Sequence, residues 1–222
     1  MKKKNLIIPI ILCGLIMIFN YSCKKSDTDK TVDQTPIINP NTVTDIDGNV
    51  YHTITIGTQV WMVENLRAMH YRNGDAILYI TDGVIWGNTT AGAYTSGSLY
   101  NYYAVQDSRN LAPKGWHIPS HNEWITLVNY LGGDSIAGGK LKETGTSDWD
   151  SPNTGATNSS GFTALPDGGF GKLSLHFGIG TEGYWWCSSY CAAYCIEYNS
   201  AHVYLTSESE LCIGYSVRCV KD

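Results

Sequence analysis

The sequence predicts an α+β domain: short antiparallel sheets, one or two helices and long loops. One stretch, Gly115–Gly133, carries the periodicity of a long amphipathic helix. Around it lie runs of four to seven residues that alternate or are rich in β-branched side chains. The chain's 23 glycines and 15 tyrosines suit a loop-rich β structure.

The N-terminus is a separate region. Lys2, Lys3 and Lys4 precede an apolar run from Leu6 to Phe19. That run is shorter than the roughly 20 residues a spanning helix needs, so residues 1–22 read as a signal peptide. Ser22-Cys23 resembles the end of a bacterial lipobox, although Asn20 stands where leucine is usual. Cys23 is therefore expected to carry lipid, and two or more acyl chains would make a stable anchor. Residues 23–42 are polar with two prolines and read as a flexible tether. The SDTD at 26–29 resembles the acidic signal of surface lipoproteins of the Bacteroides group, which implies the outer membrane, facing the cell surface or the periplasm. Residues 43–222 are long enough for one domain with a sizeable core. Removal of residues 1–22 takes three lysines and no acid, moving the formal charge from −5 to −8. No basic cluster remains to favour nucleic acid.

Within the domain, Val50–Ile56 and Gln59–Val63 predict a hairpin, preceded by a turn at Asp45–Asn49. Asn65 is expected to tie loops together through its amide. Leu99–Val105 predicts a short helix. The main helix begins at Ser120, which with Glu123 forms a capping box. Trp124, Leu127, Val128 and Leu131 make one apolar face, and Gly132-Gly133 supply the left-handed stop. Ala137–Glu143 and Thr144–Trp149 predict one long loop, and Pro152–Phe162 another. Tyr184–Ser189, Tyr194–Tyr198 and Ser216–Val220 predict three strands of a terminal antiparallel sheet, the last returning to the first hairpin.

Several of these segments carry a resemblance. WM-x-ENL at 61–66, YNYYAV at 100–105, WHIPSHNEW at 116–124, AGGKLKE at 137–143, GATNSSGFTALPDGG at 155–169, GYWWCSS at 183–189 and GYSVRCV at 214–220 together resemble the Fibrobacter succinogenes major paralogous domain. That family is similar to the C-type lectin-like fold, which formylglycine-generating enzymes share. The resemblance implies a lectin-like architecture in a lipid-anchored bacterial protein. The calcium signatures of lectins are absent, and the copper-holding cysteine pair of the formylglycine generators has no counterpart of matching spacing.

Of seven cysteines, Cys13 leaves with the signal peptide and Cys23 is the lipid site. A hairpin turning at Ser189–Ala193 would set Cys187 opposite Cys195, within disulfide reach. Cys191 would then lie near Cys212, and Cys219, in the SVRCV motif, is the candidate lone buried thiol. A metal site built on Cys187, Cys191 and Cys195 would need a helix where the residues read as strand, and the second ligand pair of a structural zinc site is missing.

No catalytic constellation emerges: the six histidines fall in no metalloprotease or nucleophile-elbow motif, and Glu123, Glu143, Asp148 and Asp150 carry no sequence signal that selects an acid–base pair. The sequence therefore favours a non-catalytic, cofactor-free binding module of the cell envelope. Its partner would be a glycan or an envelope protein, and Trp86, Tyr94, Trp149 and Tyr190 are the candidate stacking aromatics. The alternatives are a redox or copper enzyme related to the formylglycine generators, and a structural component of a surface complex.

Overall fold

The computed structural model describes residues 41–80, 93–94 (backbone alone), 99–171, 175–207 and 211–222. In chain order the first strands are β1 (Thr42–Thr44), β2 (Val50–Ile56), β3 (Gln59–Met62), β4 (Ala93–Tyr94) and β5 (Leu99–Asn101). Helix α1 (Tyr102–Val105) and strand β6 (Trp116–His117) lead to helices α2 (His121–Tyr130) and α3 (Asp134–Leu141). The remainder is β7 (Gly169–Phe170), β8 (His176–Phe177), β9 (Glu182–Cys187), β10 (Ala192–Glu197), β11 (Val203–Ser207), β12 (Gly214–Tyr215) and β13 (Val220–Lys221).

These strands form three antiparallel sheets, with orders β1-β2-β3-β13-β6, β11-β10-β9 and β4-β5-β12-β7-β8. The α+β class is thus realised. The three late strand candidates do not share a sheet, however. β9 and β10 pair with β11, which the sequence did not single out, while β13 inserts between β3 and β6 with Val220 opposite both Trp61 and His117. The C-terminus returns to the first hairpin as expected.

Helix α2 begins as its sequence dictates. The Ser120 hydroxyl accepts from the Glu123 N–H at 3.4 Å, and Glu123 accepts from the Ser120 N–H at 2.8 Å. Trp124, Leu127, Val128 and Leu131 are all buried. Trp124 stacks on Tyr194 at 4.6 Å and tilts against Trp61 at 5.1 Å, so the helix docks between the hairpin sheet and the β9–β11 sheet. Truncation of a buried tryptophan of this kind costs about 3–5 kcal/mol.

Two local expectations are corrected. Leu99–Val105 is not one helix. Leu99–Asn101 is strand β5, and the Asn101 side chain then accepts from the Ala104 N–H at 3.0 Å to cap the single turn of α1. The segment expected to be loop at 137–143 is largely helix α3. Its Gly138 and Gly139 are required by packing. A Cβ on Gly138 would collide with the His202 carbonyl, and one on Gly139 with the Gly155 carbonyl. The helix lies against backbone on two sides, and only glycine allows that approach.

Lys142 follows α3 and is fully buried. Its ammonium donates to the carbonyls of Ser200 at 2.9 Å, Glu197 at 3.0 Å and Tyr198 at 3.4 Å. It thereby fastens α3 to the turn after β10. Burial pushes this lysine down to about 8.

Candidate functional site

The segment between β3 and β4 meets the chain's last residues in one hydrogen-bonded knot. Asn65 is its hub. The amide nitrogen donates to Asp167 Oδ2 at 2.7 Å and to Ser216 Oγ at 3.1 Å. The amide oxygen accepts from Trp185 Nε1 at 2.8 Å and from Arg218 Nε and Nη2 at 3.0 and 2.7 Å. Four distant segments are thus joined through one amide that uses both its faces.

Arg218 is 1% exposed and makes no ion pair among the described residues. Its remaining bonds go to the carbonyls of Phe162 and Thr163, and its guanidinium lies over the Phe162 ring at 4.2 Å. Burial pushes this arginine down to about 9 against the opposing pull of Asp167 and Glu64.

Two cavities flank the knot and share Leu165 and Asp167. The first, of about 330 Å³, is bordered by Leu99, Asp148, Pro166, His176 and Ile179. The second, of about 310 Å³, is bordered by Val63, Glu64, Asn65, Arg67, Thr163 and Arg218. Asp167 stands where they meet. Its Oδ2 is taken by Asn65 and, at 3.4 Å, by Ser216, whereas its Oδ1 accepts from no described residue. Beside the first cavity, burial and the hydrogen bond and charge of neighbouring Asp148 raise the Glu143 carboxyl above its ordinary value. Apolar walls with a few convergent polar groups are the composition of a small-ligand site.

Of the aromatics singled out from sequence, Trp149 and Tyr190 do not border these cavities. Trp149 is 1% exposed, its Nε1 donates to the Ala164 carbonyl at 2.8 Å, and Lys142 lies over its ring at 5.4 Å. It is a core residue with no face to offer, which corrects its assignment as a ligand platform. Trp86 lies outside the described residues, and only the backbone of Tyr94 is described, in β4. Tyr190 is 81% exposed at the tip of the β9–β10 hairpin, edge-on to His121 at 5.9 Å.

The cysteine pairings are also corrected. The hairpin turns over residues 188–191, so Cys187 faces Ala192 and Cys195 faces Tyr184. Cys187 and Cys195 are therefore three residues out of register, beyond the reach of a disulfide. Cys212 is a free buried thiol, so the Cys191–Cys212 bridge is not made. Cys219 is a fully buried thiol, and burial raises it strongly. Among the described residues, no three His, Cys, Asp or Glu side chains are grouped to hold a metal.

Residues 54–221, which include every member of the knot and both cavities, match the Fibrobacter succinogenes major domain. The chain belongs to that family. No curated protein and no solved structure matches it. In this member of the Fibrobacter succinogenes major domain family, the motif residues Asn65, Asp167, Trp185, Ser216 and Arg218 are those that meet in the knot. Sequence reading singled out Asn65 alone among them, because neither a buried arginine nor its partners 50 to 150 residues away leave a periodic signal. His117, from another of the quoted segments, bonds Asp222 and Glu123 at 2.7 Å each.

Proposed function

We propose that the chain is a lipid-anchored, non-catalytic binding module of the cell envelope whose ligand is a glycan. In this reading residues 1–22 are a signal peptide, Cys23 carries the lipid and residues 23–42 are the tether. The module has a C-type lectin-like architecture and stands on the outer membrane, at the surface or the periplasmic face.

The observation that carries the reading is the pair of adjoining cavities around Asp167. Sugars present hydroxyls beside apolar C–H faces. The carboxylates of Asp148 and Asp167, with His176 and Arg67, offer acceptors and donors for the hydroxyls, while Leu165, Pro166 and Ile179 offer apolar contact. Tyr190, exposed and held on a hairpin, adds an aromatic of low conformational cost elsewhere on the surface. The raised Glu143 carboxyl is explained by burial and by the hydrogen bond and charge of Asp148, and needs no catalytic role.

The test is a glycan array probed with the full chain in detergent, with the variants Ile179→Ala and Asp148→Ala in parallel. The expected result is a restricted set of bound glycans and at least a fivefold loss of affinity in each variant. A blank array, or copper uptake with turnover of a thiol substrate, overturns the reading.

A further inference from the structure

The cavity on the Arg67 side is bordered by both signs of charge, and its guanidinium groups are in contact with no described carboxylate. Two carboxylates and two guanidinium groups border it. The carboxylates are engaged. Glu64 accepts from the His52 N–H at 2.7 Å and contacts the His52 ring at 2.7 Å, and Asp167 holds Asn65. Neither guanidinium forms an ion pair among the described residues, although Asp167 and Glu64 pull on Arg218 from beyond contact. Arg218 bonds only to the neutral oxygens of Asn65, Phe162 and Thr163. Arg67 borders the same cavity and donates none of its guanidinium hydrogens to any described residue; its only close partner there is the Tyr51 ring at 5.1 Å.

A buried cation with no counter-charge in contact is costly. Burial already disfavours the charged form of Arg218. An anionic ligand group entering the cavity would find the guanidinium hydrogens of Arg67 without a described acceptor. A planar guanidinium selects a planar, bidentate acceptor, which a carboxylate is. Asp167 Oδ1 remains as an acceptor for a hydroxyl, and Val63 and Leu165 supply apolar wall.

Resting on the glycan reading above, we propose that this cavity binds a uronic acid residue, with its carboxylate on Arg67 in the field of Arg218 and a ring hydroxyl on Asp167. The ligand class is therefore an acidic polysaccharide rather than a neutral one. The adjoining cavity would take the next sugar of the chain, since the two share Leu165 and Asp167.

The test is titration of the full chain in detergent with oligogalacturonate and oligoglucuronate, each against its methyl ester, which keeps the skeleton and removes the charge. At least one acid should bind ten times or more tightly than its ester, with affinity falling as salt rises from 50 to 500 mM. Arg67→Ala should remove that preference. Val63→Asp, which adds a like charge to the wall, should do the same. Equal binding of acid and ester, or equal binding of polyglutamate, overturns the proposal and leaves the glycan reading standing. Array glycans bound while both uronates fail has the same consequence. A protein that binds nothing in either experiment fails both.

Discussion

His117 and Asp222 lie 105 residues apart and meet at 2.7 Å, Nδ1 to carboxylate, at the end of the central sheet. The other ring nitrogen of His117 meets Glu123, the capping residue of α2, also at 2.7 Å. An imidazole held between two carboxylates favours the doubly protonated form. Burial alone would lower its pKa, but the hydrogen bonds and charges of Asp222 and Glu123 outweigh burial and raise it. One histidine thus ties the C-terminus to the start of the main helix.

The clamp makes stability depend on pH. His117 is raised in the fold, so its contribution is complete below about 6.5 and is lost as pH rises through the folded value. For Glu123, burial pushes upward, but the Ser120 backbone and hydroxyl and the His117 ring hold it below its ordinary value. Its contribution is present above the ordinary carboxylate range and is lost as pH falls through the lowered value. Both groups are partly exposed, so His117→Gln should cost only about 0.5–1 kcal/mol near pH 5.5, and less by pH 8.5. Urea midpoints of both proteins across this range measure it, and a difference that stays constant with pH would refute the clamp.

Asn65→Ala should destabilise by about 3 kcal/mol, because it leaves Arg218, Trp185 and Asp167 buried or half-buried with fewer partners. Equilibrium unfolding in urea is the measurement. A loss below 1 kcal/mol would mean that water replaces the amide without cost.

Lys142→Met should cost about 2–3 kcal/mol by leaving the carbonyls of Glu197, Tyr198 and Ser200 without their donor. It should also change the alkaline profile. Lys142 is pushed down to about 8 from an ordinary 10.5, so between these values the unfolded chain binds more protons and stability rises with pH. The wild-type chain should show this rise between pH 8 and 10, and the methionine variant should lack it.

Cys187, Cys212 and Cys219 should resist a thiol reagent in the folded protein and react on denaturation without reductant. Burial raises Cys187 and Cys219, which suppresses the reactive thiolate. Labelling followed by peptide mass analysis decides the matter, and protection that persists in denaturant without reductant would reveal a bridge.

Tyr190→Asn should stabilise the protein by about 0.5–1 kcal/mol, since φ at this exposed residue is 67° and asparagine tolerates the left-handed region. If Tyr190 also contributes to glycan binding, the same substitution lowers affinity, which would explain why a strained aromatic is held at this tip.

Local sequence determined the parts of this protein that depend on near neighbours. The cap of Ser120 and Glu123, the apolar face from Trp124 to Leu131 and the hairpin of β2 and β3 follow from residues a few positions apart, where hydrogen-bond geometry and periodicity suffice. Only the tertiary structure decided the rest. Gly138 and Gly139 became helix because backbone from two other segments presses against them. The pairing of β9 and β10 settled three residues out of the register the cysteines suggested, with Tyr194 stacked on Trp124 of α2. Trp149 vanished into the core, while Arg67, Asp167 and Arg218 came to border one cavity. Such meetings join residues 50 to 150 positions apart, and burial and charge at those distances are set by how the sheets close on one another.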